Sequence, residues 1–378
     1  MEVRKVELFL LEMRLREEFR TSVEALISRP VVLVRVEERG GEEGWGELVS
    51  DWGPWYSYET YEVDLLIMRR FLIPQLLGAR LESPEDFHTL SSKVRGYPMA
   101  KAALEEALLS LYSRLKGRPL AELLGGRREE IDSGVSIGLK PTVEELLREV
   151  SRRLEEGYQR IKIKIEPGLD VELVRAIRSQ FGGIKLQVDA NGSYTMAHFP
   201  TLKKLDEYDL LMVEQPLAYD DLIQHAVLSR KLSTPVCLDE SIRSAQDVVL
   251  ASTLGAAEVI NVKPARVGGV LRAKEVLETS KALGLGAWVG GMLESGVGRA
   301  FLVALASHPA VTFPNDISAS SRYWEEDIVE PPWELTSRGT IRVPREPGLG
   351  VEVKEEALKR YHEGEVVRGA VSLASGLR

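Results

Sequence analysis

Five charged residues recur at near-constant spacing through the middle of the chain: Lys164, Asp189, Glu214, Asp239 and Lys263. Successive members lie 25, 25, 25 and 24 positions apart. Three carboxylates are ligands that a hard divalent cation prefers. A lysine in a desolvated pocket beside other cations can act as a base. The pattern therefore predicts proton-transfer chemistry at a metal site.

Each of the five residues closes a short apolar run that is typical of a strand, and a helix-length amphipathic segment follows each run. The runs are IKIKIEPG, IKLQVDANG, LLMVEQPL, PVCLDES and EVINVKPARVGG. A repeating βα unit of this length predicts a closed parallel barrel, in which catalytic groups gather at the C-terminal ends of the strands. We therefore expect the five side chains to meet on one face.

The chain of 378 residues is longer than a barrel alone,. Alternating apolar runs near the N-terminus, including VVLVRVEERG, indicate a small antiparallel sheet, and strand and turn signals return after the βα units,. We predict an α/β fold, a (β/α)7β TIM-like barrel with an α+β cap. The expected domains are residues 1–125 for the cap, 126–318 for the barrel and 319–378 for a segment packing back on the cap.

Composition argues against several classes of protein. A net charge of −9 and a pI near 5.4 leave no basic face for nucleic acid or an anionic membrane,. The N-terminus is charged throughout, unlike a signal peptide, and no apolar run approaches the length of a membrane span. We expect a cytoplasmic protein acting on a small molecule. The single cysteine, Cys237, is predicted to be an inert buried thiol,.

The chain contains only three asparagines, Asn191, Asn261 and Asn315, while Glu, Arg and Lys are plentiful. This balance is typical of a thermophile. All three asparagines fall at or near predicted strand ends on the expected active face.

Lys162 and Lys164 are two positions apart on one predicted strand, so both ammonium groups should point into the barrel while Ile161 and Ile163 face the helices. Lys164 is nearer the strand end and is our candidate base, because a neighbouring cation and desolvation lower a lysine pKa. Solvated surface lysines are the alternative interpretation.

Asp189, Glu214 and Asp239 supply three oxygen ligands from successive strand ends, which suits Mg²⁺, with Mn²⁺ as an alternative. Without a metal, three converging carboxylates would repel and at least one would protonate. Four polar neighbours are candidates for hydrogen bonds to these ligands, although the sequence does not single any of them out: Asn191, Gln215, Glu240 and Asn261.

Lys263 follows the sixth strand, which places it across the barrel from Lys164. A substrate carbon between the two could lose a proton to one side and gain one from the other, or Lys263 could stay protonated and stabilise negative charge. Arg266 could adjust the Lys263 pKa, bind an anionic substrate group, or be a surface arginine at a helix start.

These residues resemble the muconate-lactonizing subgroup of the enolase superfamily: a Lys-x-Lys strand, then Asp, Glu and Asp on consecutive strands, then Lys on the sixth. Further motifs are similar to the o-succinylbenzoate synthase / N-succinylamino acid racemase family. They are FRTS at 19–22, GVSIG at 134–138, NVKPARVGG at 261–269, GGMLESGVGRA at 290–300 and DISASSRYWEEDIV at 316–329.

The resemblance implies Lys164 as base assisted by Lys162, Lys263 as second base or enediolate stabiliser, and Mg²⁺ on Asp189, Glu214 and Asp239. It implies a carboxylate substrate and a homo-oligomer. The substrate-binding residues expected on this basis come from the barrel and from two cap loops: Ser136, Asn191, Arg266, Gly291, Met292, Phe19 and Tyr56.

The leading hypothesis is a Mg²⁺-dependent o-succinylbenzoate synthase, with N-succinylamino acid racemisation at the same site. The alternatives are a muconate cycloisomerase, an amino acid or dipeptide epimerase, or a non-catalytic barrel that acts as a scaffold. AWVGGMLESG lacks the seventh-strand histidine of the mandelate racemase relatives. Asp316-Ile317-Ser318 lacks the Asp-x-Asp of dipeptide epimerases.

Overall fold

The computed structural model describes residues 1–361 and 367–368. The strands are β1 Val3–Arg20, β2 Ala25–Glu38, β3 Glu43–Leu48, β4 Glu130–Asp132, β5 Gly134–Ile137, β6 Arg160–Lys164, β7 Leu186–Asp189, β8 Val213–Glu214, β9 Val236–Leu238, β10 Val259–Val262, β11 Gly286–Val289, β12 Val329–Glu330, β13 Thr340–Arg342, β14 Glu352–Val353 and β15 Val367–Arg368.

The α-helices are α1 Tyr61–Ile67, α2 Ile73–Leu76, α3 Asp86–Leu90, α4 Pro98–Lys116, α5 Leu120–Leu123, α6 Val143–Glu155, α7 Val171–Phe181, α8 Phe199–Lys204, α9 Leu222–Ser229, α10 Ala245–Leu254, α11 Pro264–Val267, α12 Val270–Ala282, α13 Gly296–Ala306 and α14 Glu355–Tyr361. A π-helical turn spans Met68–Leu72, and short 3₁₀ turns span Ser91–Lys93, Met196–His198, Leu205–Tyr208 and Ser320–Arg322.

The cap is an antiparallel sheet in the order β15-β1-β2-β3, covered by α4. Two glycines of β3 allow that helix to approach closely. A Cβ on Gly44 would lie 2.2 Å from the Ala107 carbonyl oxygen, and one on Gly46 would lie 2.2 Å from that of Ala103. The GWG sequence is therefore required by backbone contact between β3 and α4.

The barrel contains seven parallel strands in the order β5 to β11, each hydrogen-bonded to the next along the chain. Residues 315–318 complete the ring between β11 and β5. The Asp316 N–H donates to the Val289 carbonyl at 2.9 Å, and the Gly134 N–H donates to the Asn315 carbonyl at 2.7 Å. The predicted (β/α)7β barrel with an α+β cap is confirmed.

Alternation along β6 follows the prediction. Ile161 and Ile163 pack in the apolar layer between the strands and the surrounding helices, while Lys162 and Lys164 take the opposite, inward face. The barrel interior also holds an apolar cluster of Met212, Cys237, Val259 and Trp288. Cys237 is fully buried there, and burial raises its thiol pKa well above the ordinary value, as expected for an inert thiol,.

The C-terminal part returns to the cap, where Val367 pairs with Leu8 of β1. Residues 362–366 and 369–378 of the predicted C-terminal segment lie outside the described residues, and the three domain boundaries stay predictions. Within the described ranges, no helix combines the length and the apolar composition that crossing a bilayer requires.

Candidate active site

The five regularly spaced residues lie at the C-terminal ends of their strands and are all buried, none more than 9% exposed. Cross-strand register places Lys164 beside Asp189 and Asp189 beside Glu214. Asp239 and Lys263 each follow the last residue of their strand, β9 and β10. The ring of strand ends thus brings together the groups that the spacing predicts.

Lys164 is held by two oxygens on neighbouring segments. Its Nζ donates to Asp189 Oδ2 at 2.7 Å and to Asn191 Oδ1 at 2.6 Å. Asn191 has a φ of 43°, an uncommon backbone conformation for a residue other than glycine,. Asn191 also donates through its side chain to Glu240 Oε1 at 2.9 Å. Lys164 therefore has a defined position at the mouth of the barrel.

Lys162 lies one layer deeper and contacts three carboxylates. Its Nζ is 3.0 Å from Glu214 Oε2, 3.0 Å from Asp316 Oδ2 and 3.3 Å from Asp189 Oδ2. Burial lowers the Lys162 pKa, but the charges of these three carboxylates outweigh burial and hold it well above the ordinary value,. The lysine is a permanent cation, unlike a base with a lowered pKa.

Lys263 is paired with Asp239, and its Nζ donates to Asp239 Oδ2 at 2.8 Å. The same ammonium lies 4.4 Å from the centre of the Tyr56 ring, and the Tyr56 hydroxyl donates to Asp239 Oδ1 at 2.8 Å. Burial lowers the Lys263 pKa, but the Asp239 charge reverses this effect and raises it above the ordinary value. Lys263 is therefore a cation in this arrangement.

Glu214 is the most buried carboxylate of the set, with 0% exposure. It accepts from Gln187 Nε2 at 2.8 Å and from Asn261 Nδ2 at 2.6 Å. Burial and the neighbouring Asp189 charge raise the Glu214 pKa to about 8. Burial, with repulsion from Asp189 as the second cause, therefore favours the protonated form of Glu214 when no cation is bound,.

All four polar neighbours of the carboxylates make hydrogen bonds at the site. Gln215 links two strand ends, because its Oε1 accepts from the Asp239 N–H at 3.0 Å and its Nε2 donates to Ser241 Oγ at 2.8 Å. The Asn191 N–H donates to Asp189 Oδ1 at 3.0 Å. Asn261 contacts Glu214 and Glu240 contacts Asn191, as described above.

A cavity of about 120 Å³ lies directly above these groups, between the barrel and the cap. Lys162, Lys164 and Lys263 line it. Six of the predicted substrate-binding residues also line it: Phe19, Tyr56, Ser136, Asn191, Gly291 and Met292.

Arg266 does not line this cavity, which departs from the expected substrate contact. It is 4% exposed and donates to Asp239 Oδ1, to the Tyr56 hydroxyl at 3.2 Å and to the Ile242 carbonyl at 2.5 Å. It lines an adjacent pocket together with Tyr56, and its contact with substrate stays a prediction. Its burial contradicts the surface interpretation. Because α11 begins directly after Lys263, its first turn directs Arg266 toward the end of β9, where it is placed to act on Asp239 and Lys263.

Sequence reasoning missed Asp316 and Gln187 as members of the site. Asp316 accepts from Ser136 Oγ at 2.7 Å as well as pairing with Lys162. A signal for Gln187 was present. The positions two before each member of the regular series form a second, deeper layer with the same period: Lys162, Gln187, Met212, Cys237 and Asn261. In TIM barrels, inward-pointing side chains normally fill the interior in layers of this kind.

The donor chemistry of Asp189, Glu214 and Asp239 suits a divalent cation. Within residues 1–361 and 367–368, no three His, Cys, Asp or Glu side chains stand close enough to hold a cation as they are arranged here. The reason is that Lys164, Lys263 and Arg266 form ion pairs with the carboxylates. However, the neighbouring Asp189 charge contributes to the raised Glu214 pKa, second to burial, so these two carboxylates still repel each other. A hard cation on the three carboxylates would remove that repulsion.

A parallel barrel with carboxylates and lysines on consecutive strand ends has the active-site arrangement of a TIM-barrel enzyme. Residues 5–125 match the mandelate racemase / muconate lactonizing enzyme N-terminal domain, and residues 145–357 match the enolase C-terminal domain-like family. The chain belongs to the enolase superfamily.

Relatives of known sequence and structure cover almost the whole chain. An o-succinylbenzoate synthase of Bacillus subtilis is 45% identical over 95% of this chain and 96% of its own. An N-succinylamino acid racemase of Thermus thermophilus is 45% identical over 95% and 97%. A solved enolase-superfamily protein of Listeria innocua superposes with a TM-score of 0.93 at 40% identity, over 96% of this chain and 98% of that one.

Proposed function

We propose that this enzyme is a Mg²⁺-dependent o-succinylbenzoate synthase that dehydrates a hydroxylated cyclohexadiene carboxylate. The observation that carries the proposal is the shared cavity, in which Lys164 and Lys263 both lie above three buried carboxylates. Relatives named as synthases, with 41–45% identity over nearly the whole chain, favour the same reaction.

Asp189, Glu214 and Asp239 would hold the metal. When bound, Mg²⁺ would withdraw negative charge from the substrate carboxylate and so make the adjacent C–H bond more acidic.

Lys164 is the proposed base, and in its neutral form it takes the proton from the carbon next to the carboxylate. The electron pair of that C–H bond becomes the new C=C bond. The C–O bond to the hydroxyl breaks, and the ammonium form of Lys164 returns the proton to the hydroxyl, which leaves as water. Asn191 fixes the position of Lys164 through the 2.6 Å contact. Lys162 lies one layer deeper and pairs with Asp189, the carboxylate that also accepts from Lys164.

Lys263 remains protonated during the dehydration and stabilises the negative charge that develops on the substrate carboxylate. Because this charge is larger in the transition state than in the ground state, a fixed ammonium group lowers the barrier. Tyr56 covers Lys263 from the cap, at 4.4 Å from ring centre to Nζ, and so shields this charge from water,.

A second activity, racemisation of N-succinylamino acids, is favoured by one specific observation. The cavity is lined by one lysine from β6 and by another at the end of β10. A substrate carbon bound between them would have one lysine on each face. A racemase needs such a pair, because the proton must return from the opposite side.

Two measurements test these activities. Ultraviolet loss of the cyclohexadiene should require Lys164, and Lys164→Ala should abolish it while Lys263→Ala retains residual turnover. For the racemase, exchange of the α-proton in D₂O should be lost for one enantiomer in Lys164→Ala and for the other in Lys263→Ala. Normal synthase turnover by folded Lys164→Ala would refute the base assignment.

A further inference from the structure

The loop that carries Gly291 and Met292 is attached to the cap by two buried charged residues, Arg29 and Glu47. Each is 1% exposed, and each lies on a cap strand, β2 or β3. We infer that Arg29 and Glu47 are positioning residues that fix this loop over the substrate cavity, so that docking of the cap sets substrate affinity.

Arg29 joins three segments through its guanidinium. One N–H donates to the Met292 carbonyl, and another donates to the Val49 carbonyl at 2.6 Å. Val49 lies just before the cap loop of residues 51–60, which carries Tyr56. Arg29 therefore ties the substrate-lining loop of the barrel to the base of a cap loop that lines the same cavity.

Glu47 holds the other end of the same loop by covering the N-terminus of α13. Its Oε1 accepts from the Ser295 N–H at 3.0 Å, and its Oε2 accepts from Ser295 Oγ at 2.5 Å and the Gly298 N–H at 2.8 Å. The first backbone N–H groups of a helix have no hydrogen-bond partners within the helix. Here the Glu47 carboxyl group, from the cap, accepts hydrogen bonds from them. A Cβ on Gly298 would lie 2.9 Å from Glu47 Oε2, so glycine is needed for this approach.

The loop between these two attachments has a conformation that needs external support. Leu293 has a φ of 58°, in the left-handed region that residues with a branched side chain disfavour,. Inside the loop, the Met292 N–H donates to Glu294 Oε2 at 2.8 Å. Residues in such conformations persist where the surroundings over-determine them. Contacts from the cap provide that constraint, and they act on Met292 at the cavity wall.

Two variants test the inference. Arg29→Met keeps an unbranched apolar side chain, although a shorter one, and removes the hydrogen-bond donors. Glu47→Gln keeps the shape but faces backbone N–H groups with an NH₂. Arg29 itself lines the cavity, so a KM effect of Arg29→Met alone does not separate positioning from direct substrate contact. Glu47 does not line the cavity, so an effect of Glu47→Gln on substrate affinity must pass through the loop. At pH 8, where Glu47 is ionised, KM for the synthase substrate is expected to rise about tenfold in either variant, the effect of losing one charged hydrogen bond, with kcat changed less,. Arg29→Lys should restore part of the loss.

Arg178→Met is the matched control. Arg178 also donates to backbone carbonyls, those of Tyr208, Ile184 and Asp209, each at 2.6 Å, but it lies at the opposite end of the barrel. It should lose stability with KM unchanged. If Arg29→Met and Glu47→Gln behaved like this control, their role would be structural only and the inference would be wrong.

The kinetic readout rests on the proposed function, so hydrogen–deuterium exchange provides an independent one. Exchange of residues 290–298 is expected to accelerate in Arg29→Met and Glu47→Gln but not in Arg178→Met. Unchanged exchange in this segment would overturn the inference, whatever the substrate. If wild-type protein failed to turn over the cyclohexadiene while exchange responded as expected, only the proposed function would fail.

Discussion

Glu47 should make the stability of this protein fall as pH rises from about 4.5 to about 7. Its carboxyl is buried between cap and barrel, and it faces Glu106, Glu294 and Arg29. Burial raises the Glu47 pKa from 4.5 to about 7, despite the hydrogen bonds from Ser295, which lower it. In this window the unfolded chain has released the proton that the folded protein keeps, so folding is favoured at the lower pH.

The expected magnitude follows from the difference between the two pKa values. A pKa raised from 4.5 to about 7 corresponds to about 3 kcal/mol of stability that is complete below pH 4.5 and lost above pH 7,. Glu47→Gln has no titrating group at this position. The free energy of unfolding of wild type relative to this variant should therefore fall by about 3 kcal/mol between pH 4.5 and pH 7.

Urea unfolding followed by tryptophan fluorescence, at several pH values from 4.5 to 8, measures this difference. Glu85→Gln, at an exposed position, controls for the loss of one acidic side chain. A wild-type-minus-Glu47→Gln difference that stayed constant across the window, or rose with pH, would refute the assignment of a buried, proton-retaining carboxyl to Glu47.

Three further predictions concern the site itself. Lys164→Ala should reduce synthase turnover at least about 10³-fold without loss of fold, because no other group replaces the base. The ultraviolet assay measures the turnover, and circular dichroism checks the fold. Mg²⁺ at about 100 times its Kd should stabilise wild type by about 2.7 kcal/mol and the Asp239→Asn variant by far less. Thermal unfolding measures both effects, and equal increases in melting temperature would argue against this ligand set. Gly290→Ala would place a Cβ 2.1 Å from Asn261 Oδ1, so it should cost about 1–3 kcal/mol in urea unfolding, and an unchanged midpoint would contradict that packing,.

The sequence predicted the site well where local geometry repeats. Each βα unit, one strand plus one helix, contains about the same number of residues. Equal spacing in the sequence therefore places Lys164, Asp189 and Glu214 at adjacent strand ends. Strand alternation placed Lys162 on the same face as Lys164. The three asparagines also lie near strand ends, and the third, Asn315, accepts from the Val289 N–H at 2.9 Å where the barrel closes.

Contacts between distant segments were not predictable in this way. Arg29 and Glu47 meet residues about 250 positions away, and neither carries a local motif. Asp316 lies outside the regular series of charged residues, and its local sequence does not indicate its pairing with Lys162. The orientation of Arg266 depended on where α11 begins, which spacing from Lys263 does not determine.

We propose that the three carboxylates and two lysines form a metal-dependent site for dehydrating a cyclohexadiene carboxylate. Ultraviolet turnover of that substrate by purified protein, with Mg²⁺ and after chelation, tests the metal and the reaction together. Conversion to o-succinylbenzoate is expected, and it should disappear on chelation and return when Mg²⁺ is restored. Folded, Mg²⁺-binding protein that leaves the substrate unchanged would contradict the synthase assignment, and turnover that persists after chelation would contradict the metal site.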